Sequence, residues 1–465
     1  MSWKIIARAL KNPDMRKRLL WVAFLILVFR ALSFIPIPLA EPTQLRQLLD
    51  NLFETQQLLG FIDLLSGGAL SNFSIVLMGL GPYINASIVM QLLSKAIPRL
   101  EEISEDGESG RRKINQYTRI LTLPFALLQS VGILLLIRQQ ASANSGIDIA
   151  ANASMFQWAL MITALVGGSM LLMWMGELMT EQGVGNGISL LIFAGIISQL
   201  PATINLLITS LVNSPGQVDV FGLFSFPFDL RVFGVVVGIV IATLLLTYFV
   251  VKLNEAQRVI TVSYAKRVRG NRAYGGVDTV LPIKVITVGV IPVIFAVAFL
   301  SVPNFVGQLL ITADSTWMVD LGTKLVTWFQ APGSAASATG NAALIYPAVY
   351  LLLIIAFTYF YTGIVFNAKQ IAENLQKQGG FIAGIRPGKQ TEQYLRKIVN
   401  RLNLFGALAL GFIALVPFAI EALLGTSQLT IGGTGLLIVV SVALETLRQI
   451  ESRALMVTYD APDGA

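Results

Sequence analysis

Apolar residues along this chain neither alternate nor keep to one face of a helix; they come in long, nearly unbroken runs. A helix needs about 17–25 mostly apolar residues to cross the hydrocarbon core of a bilayer. Runs of that kind occupy positions 19–36, 73–94, 120–137, 155–176, 187–210, 232–251, 285–303, 344–366, 402–424 and 429–446. The pattern predicts an all-α polytopic membrane protein with ten transmembrane helices. One more apolar stretch, 58–72, is too short to span and is interrupted by Gly67 and Gly68.

Composition agrees with that class. Hydrophobic residues make up 55% of the 465 positions and charged residues 13%, against about 25% charged in soluble domains. The basic residues also give a direction. Of 33 Lys and Arg, 28 lie before the first run, in segments 95–119, 252–284 and 367–401, or after the last run. Short cytoplasmic connections are enriched in Lys and Arg, so both termini are expected in the cytoplasm. Arg46, Arg138, Arg231 and Lys324 fall on the opposite side. Arg30 lies inside the first run, where it is expected to snorkel. The weakest connection is 177–186, which carries Glu177 and Glu181 and no basic residue. The basic segment before position 19 is followed by a long run with no small-residue cleavage site, so it reads as a retained span and not a signal peptide.

Large basic segments after the second, sixth and eighth runs suggest two halves of five spans. The N-terminal half covers 1–210 and includes 58–72; an external hinge covers 211–231; the C-terminal half covers 232–465 with cytoplasmic segments at about 252–284 and 367–401. An odd number of spans per half would make the halves inverted repeats. Ten unrelated helices would fit the same pattern.

The inventory of reactive groups is short. The chain has no His and no Cys, which removes disulfides, thiolate chemistry and imidazole metal sites. No phosphate-cradling glycine loop of the nucleotide-hydrolysing kind is present. No metal site and no cofactor are expected, and the chain does not read as an enzyme. Glu421 and Glu445 lie near span ends, so a proton relay at mid-membrane has little support. What stands out is Gly79, Gly81 and Pro82 in the second run and Gly289 and Pro292 in the seventh. Interruptions in two helices, one per half, point to a central pathway. A solute transporter would suit that arrangement as well as a channel, although it would need a polar site at mid-depth.

Longer motifs narrow the choice. The run Leu65-Ser66-Gly67-Gly68-Ala69-Leu70-Ser71, the segment Gly81-Pro82-Tyr83-Ile84-Asn85-Ala86-Ser87, and Asp106-Gly107-Glu108-Ser109-Gly110-Arg111-Arg112-Lys113 resemble the SecY family, the channel subunits of bacterial protein translocons. Glu181-Gln182-Gly183-Val184-Gly185-Asn186-Gly187, Tyr264-Ala265-Lys266-Arg267, Gly384-Ile385-Arg386-Pro387-Gly388 and Gly432-Gly433-Thr434 agree with that family in the same order. The likeness covers nearly the whole chain.

The resemblance implies a passive channel for unfolded polypeptide in the bacterial cytoplasmic membrane, opening sideways to release hydrophobic segments into lipid. The family's apolar pore ring maps to Leu80, Ile84, Ile188, Ile192, Ile294 and Ile438, and Leu80 departs from the usual isoleucine. Branched aliphatics in a narrow collar resist wetting and yield to a passing chain. The family's plug, a half-helix, maps to 58–72, with Phe61, Ile62, Leu64, Leu65, Ser66, Gly67, Gly68, Ala69 and Leu70. The lateral gate maps to Gly79, Pro82 and Asn85 on one side and Gly289, Pro292, Ala298 and Val302 on the other. Arg258, Lys266, Arg267, Arg269, Arg272, Arg386 and Lys389 correspond to the docking surface for the SecA motor ATPase or the ribosome, whose rRNA presents phosphate. The SecE and SecG subunits, signal peptides, nascent polypeptides and the lipid bilayer are the other partners the resemblance implies.

Overall fold

The computed structural model describes residues 13–37, 66–145, 154–212, 218–220, 224–226, 230–264, 267–269, 272–274, 278–311, 315–329, 344–424 and 428–460. In chain order the elements are α1 (Pro13–Leu32), α2 (Gly81–Ala96), α3 (Pro98–Glu105), α4 (Gly107–Ser145), α5 (Met155–Glu181), α6 (Gly187–Val212), β1 (Val218–Val220), β2 (Phe224–Phe226) and α7 (Leu230–Glu255). There follow β3 (Gln257–Tyr264), β4 (Arg267–Arg269), β5 (Arg272–Tyr274), β6 (Asp278–Lys284), α8 (Ile291–Ile311), α9 (Thr316–Phe329), α10 (Ile345–Val365), α11 (Ala368–Lys377), β7 (Gly380–Phe381), α12 (Lys389–Leu424) and α13 (Gln428–Asp460). Each of the ten apolar runs meets a helix: α1, α2, α4 to α8, α10, α12 and α13. Among the described residues, seven helices are long and apolar enough to cross a membrane by length and composition.

The second run departs from expectation. Its helix begins only at Gly81 and has 16 residues, a rise of about 24 Å against a hydrocarbon core of about 30 Å. Residues 67–80 run as successive turns instead. Irregular backbone at membrane depth is tolerated only when packed in protein, and this segment is: Leu70, Phe73, Leu77 and Met78 join Ile37, Ile133, Leu134, Met161 and Leu165 in one buried cluster.

The chain divides into two compact units. The first comprises Met1–Thr243, Ala298–Pro347 and Pro417–Ala465. Within it α6 packs on both α5 and α13. At the end of α5 three basic side chains converge. Arg119 pairs with Glu177 at 2.6 Å, and Arg18 and Arg453 both donate to the Gln182 carbonyl oxygen, at 3.0 and 3.4 Å. Cations suit a helix C-terminus, where carbonyls lack partners. These arginines come from the segment before the first run, the 95–119 segment and the segment after the last run. All three therefore lie on the same side as the acidic 177–186 connection, the one that charge counting placed least securely.

The second unit comprises Leu244–Val297 and Ala348–Val416. Its distinctive feature is a three-stranded antiparallel sheet of order β6-β3-β7. Strand β3 pairs with β6 from Gln257 opposite Lys284 to Ser263 opposite Asp278, and with β7 through Ser263 opposite Phe381 and Tyr264 opposite Gly380. Alternation along β3 turns Ile260 and Val262 inward, onto Ile283, Ile382, Leu395, Ile398 and Val399. The two basic segments read from sequence as separate docking loops thus share one sheet and one small core.

Candidate functional site

Helices α2 and α8 start in the same way. Each starts within a Gly-x-x-Pro sequence whose glycine has a left-handed backbone, φ +54° at Gly79 and +69° at Gly289. The residue after each glycine offers its carbonyl to the first helical turn: Ile84 N–H donates to Leu80 O at 2.9 Å, and Ile294 N–H to Val290 O at 3.3 Å. Pro82 and Pro292 each stand second in their helices, where the missing N–H costs no hydrogen bond. The prolines that the sequence suggested would interrupt two helices in fact begin them. Ile84 and Ile294 consequently occupy equivalent places, five residues beyond the glycine.

Of the expected collar residues, five are buried: Leu80 and Ile84 at 5% exposure, Ile192 at 2%, Ile294 at 7% and Ile438 at 1%. Ile188 is half-buried and lies against α5, where a Cβ on Gly176 would come 3.1 Å from its Cγ1. Ile188 and Ile192 on α6 and Ile438 on α13 belong to helices that pack together in the first unit. Ile294 belongs to the second unit.

Of the expected plug, Phe61, Ile62, Leu64 and Leu65 lie outside the described residues. The described remainder, Ser66 to Leu70, is turn-rich, with Ser66 alone in helical conformation, and Ser66, Ala69 and Leu70 are at most 1% exposed. It is fastened to the end of α1 and to α6. Arg30 Nη1 donates to the Gly67 carbonyl oxygen, and Ser198 Oγ lies 3.5 Å from the same oxygen. The chain then returns along α1's end, where Ile37 N–H donates to Phe73 O at 2.8 Å, Ile75 N–H to Ile35 O at 3.0 Å and Ser74 Oγ to Leu32 O at 2.7 Å. Sequence reasoning missed Arg30 as a partner of this segment, because its acceptor is a backbone carbonyl that no side-chain pattern announces.

Of the expected gate residues, Pro82, Asn85 and Pro292 are buried, Ala298 is half-buried and Val302 is 46% exposed. Among the docking residues, Arg258 on β3, Arg386 and Lys389 at the start of α12 are exposed. Arg267, Arg269 and Arg272 lie on the β4–β5 ribbon, with Arg269 opposite Arg272 and Arg267 opposite Tyr274; Lys266 lies outside the described residues. Arg386 sits on a fixed turn, its carbonyl accepting from Thr391 Oγ1 at 3.0 Å while Thr391 is 2% exposed.

Comparison with solved structures gives the class. The chain matches a structure described as a protein conducting channel with a TM-score of 0.66 at 18% identity, over 96% of this chain and 94% of that one. It matches Sec61 in a canine ribosome-channel complex with a TM-score of 0.62 at 18% identity, over the same shares. A further match, with a TM-score of 0.63 at 18% identity over 96% of this chain and 94% of that one, is a SecY whose plug domain is described as stabilising the closed state and maintaining a membrane seal. This is a multi-pass helical membrane protein with the fold of the SecY and Sec61 channels.

Sequence comparison then fixes the family. The SecY family model matches residues 74–447. The protein translocase subunit SecY of Streptomyces scabiei is 39% identical over 98% of both chains, and that of Mycobacterium tuberculosis is 37% identical over 97% of this chain and 98% of its own. The chain belongs to the SecY family.

Proposed function

We propose that this chain is the non-catalytic, channel-forming subunit of a bacterial protein translocase. It passes unfolded secretory polypeptides across the cytoplasmic membrane, with both termini in the cytoplasm, and releases hydrophobic segments sideways into lipid at α2 and α8. The observation that carries the reading is the chemistry of the expected collar: six aliphatic side chains, five of them buried, with no carboxylate or other ionisable group among them. A solute site needs polar groups at that depth, whereas a polypeptide of any sequence needs a constriction that sheds water and holds nothing.

In this reading the 58–72 segment is the plug, the two sequence halves 1–210 and 232–465 are inverted five-span repeats joined by 211–231, and the work of transport comes from outside. The exposed Arg258, Arg386 and Lys389 and the arginines of the β4–β5 ribbon suit the SecA ATPase or ribosomal RNA phosphate. SecE and SecG complete the membrane complex, and signal peptides and nascent chains are the cargo.

The absence of cysteine makes the path directly testable. A single cysteine is introduced at Ile84 or, separately, at Leu245, which is 57% exposed, and each is paired with a cysteine in a stalled secretory chain. A disulfide at position 84 and none at 245 is the expected result. No disulfide at 84, with the stalled chain bound, would overturn the reading.

A further inference from the structure

The cation in the last turn of α1 has a specific occupation. Arg30 stands in the last turn of α1, and a guanidinium within a span is costly unless it meets acceptors. Its donor goes to the carbonyl oxygen of Gly67, and its charge lies 5.0 Å from the centre of the Phe34 ring. The Gly67 turn is pressed backbone to backbone against α6: a Cβ there would stand 2.9 Å from Gly195 Cα. Ser198, from α6, donates to Gly195 O at 2.7 Å and holds its oxygen beside the Gly67 carbonyl.

The two ends of this buried segment are held differently. At 73–75 the chain is stitched to the end of α1 by main-chain hydrogen bonds and a bridge between Pro36 and Ser74. At Gly67 the bonds described come from side chains, which let go by changing rotamer without unpairing any backbone. One end is built as a hinge and the other as a catch.

We propose that Arg30 is the positioning residue that latches the plug in its seat, gripping the Gly67 carbonyl in the sealed channel and releasing it when the plug leaves. The inference deepens the channel reading and rests on it. A hydrogen bond from a charged donor is stronger than a neutral one, so of the two side chains that reach the Gly67 carbonyl, Arg30 and Ser198, Arg30 holds it harder.

The test measures ion leak from vesicles holding the channel with its partner subunits and no cargo. Arg30→Gln should raise leak roughly tenfold, the equilibrium effect of losing one charged hydrogen bond, whereas Arg30→Lys, which keeps charge and donor, should stay near the parent. A tether separates a latch from a general structural role. The ideal Cβ of Gly79 lies 3.3 Å from Ser66 Cβ, close to the separation of about 3.5–4.5 Å in a disulfide. In the Arg30→Gln background, Ser66→Cys with Gly79→Cys should seal when oxidised and leak again when reduced. Leak that persists in the oxidised form would overturn the inference, since Arg30 would then act elsewhere than on the plug. The double variant Ile84→Gly, Ile438→Gly serves as the reference for the channel itself. If it leaks while Arg30→Gln stays tight, the latch is wrong and the channel reading stands; if neither leaks, both fall.

Discussion

The starts of α2 and α8 are built alike and covered differently. Both have a left-handed glycine, a proline at the second helical position and an isoleucine five residues past the glycine, 5% exposed at Ile84 and 7% at Ile294. Yet a Cβ on Gly79 would lie 3.3 Å from Ser66 Cβ and 3.4 Å from its Cα, while one on Gly289 would meet nothing within 4 Å among the described residues. Among the described residues, glycine at 289 answers only to backbone geometry. Glycine at 79 answers to that and to a neighbour, the segment read as the plug. The same local device therefore serves two ends, and the neighbour, not the motif, decides what a substitution does.

Replacing each glycine with leucine gives the largest separation. A residue with a side chain in the left-handed region costs about 1–2 kcal/mol, so Gly79→Leu and Gly289→Leu should both lower thermal stability, Gly79→Leu by more because its side chain also crowds a packed neighbour. Only Gly79→Leu also pushes Ser66 from its place. Ion flux through reconstituted vesicles should rise severalfold for Gly79→Leu and stay near the parent for Gly289→Leu. Equal leak in the two would erase the distinction between a covered and an open start.

A smaller, symmetric effect is expected one turn further on. Ile84→Val and Ile294→Val each remove one buried carbon, a loss of about 1 kcal/mol, from equivalent places after the glycine. If both side chains belong to one collar, each should increase leak slightly and by the same factor, measured on the same vesicles. A rise for Ile84→Val alone would leave Ile294 as ordinary packing in its own unit.

The sequence carried the spans and the family motifs, and each apolar run meets a helix because burial in lipid depends on local composition alone. It carried less of what depends on distant partners. The β3 strand carries a local signal in the consecutive β-branched Val259-Ile260-Thr261-Val262, although only the basic character of its segment was read there, and its pairing with Gly380–Phe381 joins residues more than a hundred positions apart through two residue pairs. No local period encodes that. Arg30 was visible as an expensive charge, while its carbonyl partner at Gly67 was not. The runs at 73–94 and 285–303 were read as single spans with breaks in them, although proline in a first turn is a start signal, because hydrophobicity continues upstream through turns that the protein buries.

That last misreading yields the smallest effect and a decisive sign. Proline inside a helix removes a hydrogen bond and clashes with the preceding turn, at about 3 kcal/mol, so exchanging an interior proline for alanine should stabilise. At the second helical position no bond is lost, and proline's fixed φ restricts the unfolded chain, so alanine there should destabilise by about 0.4–1 kcal/mol. Pro82→Ala and Pro292→Ala are expected to behave identically: a slight fall in the thermal midpoint of the detergent-solubilised protein and no change in leak, because neither ring touches the difference between Gly79 and Gly289. A rise in the midpoint at either position would mean that its proline kinks a continuous helix, and the two starts would no longer be the same device.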